Sequence, residues 1–279
     1  MNNFESLSAL REAADRGKNV LSNRAELRGL PDDAEALHIL WLYPDVLNLH
    51  GGRGDMMALL HVADLMELPV EIMRIDELDE EIPYEWAHMI CLNSGEIKCA
   101  SEVAAAMSRQ REELDGFIER GGVLWAAASS GAVLAREYTR LDGSKAEGLG
   151  LLDMSWQERE SVWGDDIWFT ADDGIQVMGC QIQVADVFLN EGQAPLGEII
   201  YGRGNCGDGR EGARSGNIIF TNCLGPMMVK NPRLAEKWLK TAAASAGIEC
   251  RRQINDSDVE IEDKSFELIK KFINEKLNK

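Results

Sequence analysis

The sequence is poor in histidine and in basic residues. Its 279 residues include four His, the last of which is His88, so no imidazole is available beyond that point. Lys and Arg number 29 against 48 Asp and Glu, which gives a formal charge of −19. Because nucleic-acid binding needs clustered basic side chains, this deficit argues against a nucleic-acid partner.

Long apolar runs and paired cysteines are also missing. The longest uncharged runs, 121–135 and 215–229, each have 15 residues, fewer than the roughly 18–20 that span a bilayer. The first 20 residues carry six charged side chains, which does not fit a signal peptide. The six Cys show no C-x-x-C spacing, which argues against a zinc site. We therefore expect a cytoplasmic protein that uses no membrane, metal or cofactor.

What the sequence does contain is an alternation of apolar and helical segments. Apolar runs of strand length lie at 36–43, 69–75, 87–92 and 122–127. Helical patterns accompany them at 4–17, 55–66, 101–118 with Ser101 as N-cap, 132–138, 231–246 and 257–278. This order predicts an α/β fold in which helices cover both faces of a parallel sheet. Short runs broken by Gly, Asn and Asp over 154–222 predict additional strands.

The segment that follows the fourth predicted strand is the most informative. Six small residues run from Ala126 to Gly131, between a buried strand and a predicted helix. A sharp strand-to-helix turn needs small neighbours because its central residue is held in a strained conformation. In α/β enzymes that residue is often the nucleophile, at the carboxyl edge of the sheet. The steric requirement is met, but the segment has no Cys.

Several longer blocks carry a resemblance to a known family. The blocks are LYPDVLNLHGGRG (42–54), EGLGLLD (147–153), PLGEIIYGRGN (195–205) with Glu211-Gly212, and 217–236, which contains TNCLGP and KNPRLAE. Over 36–247 the chain resembles class I glutamine amidotransferases of the cobyric acid synthase type, and more closely the small glutaminase subunit of lipid II isoglutaminyl synthase. The resemblance implies a flavodoxin-like sheet, a Cys–His–acid glutaminase, and ammonia transfer to a synthetase partner.

The resemblance also divides the chain into three parts. It implies a class I glutamine amidotransferase-like domain over 36–248. Residues 1–35 then form a helical N-terminal extension, and residues 249–279 form a C-terminal helical extension.

The residues that carry the family's chemistry are the ones that differ. The family elbow reads C-G-G-Y-Q, and its Cys corresponds to Ala128 by counting back from 142–148, or to Ala127 by counting forward from the strand. The family's His precedes a Gly-Pro pair, where this chain has Leu224. Two further segments depart from the pattern: the Gly-rich oxyanion loop becomes Asn93-Ser94-Gly95-Glu96, and G-F-E-N-H becomes Gly179-Cys180-Gln181-Ile182-Gln183.

These differences predict a protein without glutaminase activity. A thiol cleaves an amide as a thiolate paired with a base, and losing one member of such a unit typically costs ~10⁴–10⁶ in rate. With Ala128 and Leu224 at the family positions, we expect no catalytic residues there. We expect instead a binding or scaffold subunit for a synthetase, such as a Mur-ligase-like protein in cell-wall precursor amidation.

Two other interpretations stay open at this point. The chain is a hydrolase of the same fold if Ser129 or Cys223 serves as a relocated nucleophile, or it is a homologue from the cobalamin pathway. Residues to which we assign a binding or loop-ordering role are Asn48, His50, Arg53, Asn93, Gly95, Gln181 and Gln183.

Overall fold

A computed structural model describes residues 20–27 and 34–277. Within them the strands are β1 (Val20–Ser22), β2 (Leu37–Leu42), β3 (Val70–Ile75), β4 (Met89–Leu92), β5 (Val123–Ala127), β6 (Glu137–Thr139), β7 (Lys145–Glu147), β8 (Met154–Ala171), β9 (Gln176–Leu189), β10 (Gly197–Tyr201), β11 (Arg210–Glu211), β12 (Ala213–Ser215) and β13 (Ile218–Thr221). The α-helices are α1 (Gly52–Leu65), α2 (Ala100–Ser108), α3 (Arg111–Glu119), α4 (Gly131–Leu134), α5 (Met227–Lys230), α6 (Pro232–Ala246) and α7 (Glu260–Leu277).

The main sheet has seven strands in the order β1-β3-β2-β4-β5-β13-β12. Its five inner strands are parallel, and the two edge strands pair antiparallel to them. Hydrophobic clusters lie on both faces, because α1 and α6 cover one face and α2 and α3 cover the other. The predicted flavodoxin-like sheet with helices on both faces is confirmed.

A second sheet is built from the later strands, as the broken apolar runs predict. Its order is β11-β10-β8-β6-β7, and β9 pairs with β8 in a long hairpin. The C-terminal helix α7 packs on this hairpin through Phe266, Ile269 and Ile273, which contact Trp168 and Met178. No helix in the described part of the chain is long and apolar enough to cross a membrane.

The predicted single helix over 101–118 is wrong, and so is its N-cap. Two helices form instead, α2 and α3, with Arg109 and Gln110 between them. The helix is interrupted at Gln110, whose side-chain amide accepts from the N–H of Ile82 and donates to its carbonyl. Ser101 lies inside α2, since Cys99 already has helical backbone angles and precedes the first helical residue.

Two other predicted helical segments are partly strand. The helix predicted at 132–138 ends at Leu134, and β6 follows it because residues 137–139 pair with both β7 and β8. In the predicted N-terminal extension, the described residues include the edge strand β1. Asn23 anchors this strand, because its amide accepts from the Val70 N–H and donates to the Leu68 carbonyl. The helix predicted at 4–17 lies outside the described residues.

Candidate functional site

Three loops that carry predicted site residues leave the main sheet at one edge. Thr221 is opposite Ala127 in the parallel β5–β13 pair, so Ala128 and residues 222–224 emerge side by side. Leu92 is opposite Ala126, which brings residues 93–96 to the same edge. Since this is the carboxyl edge of a parallel sheet, it is where α/β proteins bind ligands.

The sharp turn after β5 is centred on Ala128. Its φ is +44°, a left-handed conformation that is uncommon for a residue with a side chain. Ala127 keeps an extended backbone, with φ −107° and ψ 136°. The residue in the strained conformation expected of an elbow is therefore Ala128, which is 6% exposed.

This strain predicts an unusual response to glycine. At Ala128, glycine relieves the left-handed backbone, which offsets the lost methyl burial and the added chain entropy. We expect Ala128→Gly to change the free energy of unfolding by less than about 0.5 kcal/mol, whereas the matched Ala127→Gly costs roughly 1–2 kcal/mol. Urea denaturation of both variants measures the difference, and equal losses would contradict it.

Leu224 lies in an apolar environment at the same edge. It forms an antiparallel bridge with Cys180, in which the Leu224 N–H donates to the Cys180 carbonyl at 2.8 Å. Leu224 is 4% exposed and shares one hydrophobic cluster with Ala128 and Cys223. At the positions where the family resemblance implies a thiol and an imidazole, the structure has packed apolar side chains.

The Ser129 hydroxyl is hydrogen-bonded to the loop after β4. Its hydroxyl donates to the Gly95 carbonyl at 2.5 Å and accepts from the Gly95 N–H at 3.1 Å. The Ser94 hydroxyl lies 3.2 Å away, and the neighbouring Ser130 hydroxyl donates to the Asn93 carbonyl. In this conformation the Gly95 N–H serves Ser129 and is not free to stabilise an oxyanion.

Cys223 is wholly buried, and its thiol is a poor nucleophile. Burial raises its pKa well above the usual range, and the negative charge of Glu211 raises it further. A thiolate is the reactive form of cysteine, so this environment suppresses the reactivity of Cys223.

None of the four imidazoles forms a hydrogen bond with Ser129 or Cys223 in the described residues, and of the four only His50 lies in a loop at the same edge of the sheet. His38 is the second residue of β2 and stacks on His88, which directly precedes β4, so both lie at the opposite, amino edge of the sheet. His61 lies on α1, and His50 lies in the exposed loop that follows β2.

Gln181 and Gln183 are buried and fasten β9 to the loop after β10. The Gln181 amide accepts from the backbone N–H groups of Arg203 and Gly204 and donates to the Gly204 carbonyl at 2.7 Å. Gln183 donates to the Asn205 carbonyl at 2.6 Å. Their observed contacts are those of residues that order a loop.

The loop after β2 places Asn48 and His50 on the surface, and it packs against the loop after β4. The Leu49 N–H donates to the Ser94 carbonyl at 2.8 Å. Gly95 packs on Leu47, where a larger residue would clash. The sequence-predicted Asn93 and Gly95 therefore belong to one pair of interlocked loops with Asn48 and His50, and Arg53 follows them in the first turn of α1.

Sequence reasoning missed two buried carboxylates at this edge. Glu211 accepts from the Thr221 hydroxyl at 2.7 Å, from the Asn222 N–H at 2.7 Å and from the Asn222 amide at 3.0 Å. Burial raises its pKa, although these donors oppose the shift. The sequence block 195–205 with Glu211-Gly212 could have pointed to Glu211, because the Asn205 side chain bonds both the N–H and the carbonyl of the neighbouring Gly212.

Asp55 is the second missed carboxylate. It lies in the first turn of α1 and accepts from the Met228 N–H at 2.8 Å, so it joins α1 to the segment after Leu224. Burial raises its pKa from 3.8 to about 7. Its partner is 173 residues away in the chain, so no local sequence signal identifies it.

The raised pKa of Asp55 predicts a pH-dependent stability. Because the folded protein holds this proton more tightly than the unfolded chain, its contribution declines as the pH rises from about 4 to about 7. Asp55→Asn does not titrate, so we expect the stability difference to move by about 3 kcal/mol in favour of the variant between pH 5 and pH 8. Urea denaturation at the two pH values measures this.

The exposed Asp142→Asn is the control for that experiment. Asp142 has a lowered pKa because it accepts hydrogen bonds from Ser144, so it does not titrate between pH 5 and pH 8. A constant difference for Asp55→Asn over that interval would contradict the prediction.

Comparison with known proteins gives a consistent result. No family model matches the sequence. The chain is 26% identical over 211 residues to lipid II isoglutaminyl synthase (glutamine-hydrolyzing) subunit GatD of Streptococcus pneumoniae, covering 74% of this chain and 80% of that protein. It is 25% identical over 232 residues to the GatD subunit of Staphylococcus aureus, covering 82% and 94%.

Among solved structures, a crystal structure of a glutamine amidotransferase matches with a TM-score of 0.51 and 17% identity, over 73% of this chain and 98% of that one. At this identity the match concerns the fold alone. Both GatD sequences align over most of their length with this chain. The chain therefore has the fold of glutamine amidotransferases and is similar in sequence to the GatD subunit of lipid II isoglutaminyl synthase.

Proposed function

We propose that this chain is a glutamine amidotransferase-like subunit of a synthetase that amidates a cell-wall precursor, and that it has no glutaminase activity of its own. The absence of glutaminase activity is inferred from the sharp turn after β5. Ala128 has the strained conformation of an elbow residue without a nucleophilic group, and Leu224 lies beside it at the sheet edge. An amide-cleaving site needs both a nucleophile and a base.

The partner we propose is a Mur-ligase-like synthetase that acts on lipid II. Its basis is the likeness to GatD, which is named as a subunit of lipid II isoglutaminyl synthase. The block 42–54, one of those that carry the family resemblance, lies largely at the surface from Asn48 to His50. Leu49 is 40% exposed there. Because this exposed loop belongs to a block that carries the resemblance, we choose Leu49 as the position at which to test docking.

Co-expression of the chain with the Mur-ligase-like protein of the same cell tests the proposal. We expect a stoichiometric complex by size-exclusion chromatography with light scattering. Leu49→Asp is expected to weaken it at least tenfold, and Leu141→Asp, at an even more exposed leucine in the turn after β6, is expected to leave it unchanged. No complex with the wild-type chain, or equal binding by both variants, would contradict the proposal.

A relocated nucleophile is the weaker alternative. Ser129 is hydrogen-bonded to Gly95 on both its donor and acceptor sides, and burial suppresses ionisation of Cys223. Neither residue has an imidazole partner in the described part of the chain.

A further inference from the structure

The strand order of the main sheet reverses between β2 and β4. In open α/β sheets the crevice at such a reversal, outside the carboxyl ends of the strands, is where ligands bind. At this reversal the start of α1, residues Gly51–Gly54, lies against Asn93, which directly follows β4, and against Pro226. We call this place the switch-point crevice.

The start of α1 leaves donors without partners. Its N-cap is Gly51, with φ +85°, and no side chain within the described residues caps the helix. The first backbone N–H groups of a helix have no intrahelical acceptor, and the helix dipole places partial positive charge there. A 14-residue helix that begins in this way favours an anion at its N-terminus.

Asn93 supplies an independent indication of a ligand. Its side chain is 1% exposed, and neither its amide nitrogen nor its amide oxygen has a hydrogen-bond partner in the described part of the chain. Buried polar side chains are almost always paired. A Cβ placed on Gly52 would lie 2.6 Å from Asn93 Cγ and 2.9 Å from Nδ2, so the unpaired amide lies directly against the first turn of α1.

The charges around the crevice also favour an anion. Arg53 is exposed, and no carboxylate within residues 20–27 and 34–277 forms an ion pair with it. The nearest acidic residue along the helix, Asp55, is buried and bonded to Met228. Arg53 therefore places a positive charge without a paired carboxylate beside the uncapped start of α1.

We propose that the switch-point crevice binds a phosphate group, either free or carried by a nucleotide. The N–H groups of Gly52 and Arg53 and the Asn93 amide would donate to its oxygens, and the Arg53 guanidinium would balance its charge. This site adjoins the elbow, since the Asn93 carbonyl accepts from the Ser130 hydroxyl, but it uses neither Ala128 nor Leu224 and does not depend on the proposed partner.

Isothermal titration of the full chain with inorganic phosphate, in chloride buffer at constant ionic strength, tests the proposal. We expect saturable binding that weakens at least tenfold in Arg53→Ala and in Asn93→Ala. Arg251→Ala removes another exposed arginine, distant in sequence and in a loop, and is expected to leave the affinity unchanged. Arg53 is at the surface, so its variant remains informative even if Asn93→Ala folds poorly.

A parallel titration with ADP separates the two sources of phosphate. At least tenfold tighter binding of ADP identifies a nucleotide, and equal affinity identifies free phosphate. Absence of phosphate binding, equal affinity for acetate, or an equal loss in Arg251→Ala would overturn the proposal.

Discussion

The purified protein is expected to hydrolyse glutamine at least about 10⁴-fold more slowly than the lipid II isoglutaminyl synthase of Streptococcus pneumoniae measured beside it. The reason is the chemistry available at the elbow. Ala128 offers no nucleophile, Leu224 offers no base, and the Gly95 N–H is already bonded to Ser129. Glutamate formation, followed with and without the synthetase partner, measures the rate.

Two variants test whether another residue acts as the nucleophile for glutamine hydrolysis. Ser129→Ala and Cys223→Ala each remove one alternative nucleophile. If the wild-type protein turns over glutamine and either variant abolishes that turnover, the absence of glutaminase activity is refuted. Thermal unfolding of each variant checks that a lost rate does not come from a lost fold.

Loss of Glu211 is expected to cause the largest change in stability. Glu211→Ala leaves the Thr221 hydroxyl, the Asn222 N–H and the Asn222 amide without their buried acceptor. An unsatisfied buried donor costs about 1–3 kcal/mol, so we expect the free energy of unfolding to fall by about 3–4 kcal/mol. Denaturant unfolding at neutral pH measures this change.

Glu198→Ala is the matched control, because Glu198 is the exposed residue that pairs with Arg210 on the adjacent strand. We expect it to change stability by less than about 0.5 kcal/mol. Glu211→Gln keeps the shape and one acceptor oxygen, so its loss should lie between the two. If Glu211→Ala unfolds like Glu198→Ala, Glu211 does not hold the segment that ends at Leu224.

Most of the main sheet could be predicted from the apolar pattern. Strands such as 122–127 are buried on both faces, so each appears as an almost continuous apolar run with boundaries within one or two residues of β5. The six small residues after it predicted a sharp turn, and its strained position is Ala128, one of the two proposed positions. The sequence did not decide between Ala127 and Ala128, because both are alanines in a run of small residues and their backbone dihedral angles cannot be deduced from residue type.

The errors occurred where contacts distant in sequence overrode local preference. Residues 101–118 have a continuous helical pattern, but the bonds from Gln110 to Ile82 separate α2 from α3. Residues 137–139 follow a helical turn, but pairing with β8 makes them a strand. In both cases at least one deciding partner, Ile82 or β8, lies more than 15 residues away in the chain, beyond the reach of periodicity.

For the histidines too, the sequence settles which residues are present, and the tertiary structure settles where they lie. The sequence by itself determined that no imidazole follows residue 88 and that Ala and Leu occupy the family's catalytic positions, because these are matters of residue identity. Only the tertiary structure decided that His38 and His88 stack at the amino edge of the sheet, while Ala128 and residues 222–224 share the carboxyl edge. It also placed Asp55 beside Met228 and left the Asn93 amide unpaired beside Gly52. Burial, partner and distance depend on residues far apart in the chain meeting in space, and no local pattern encodes them.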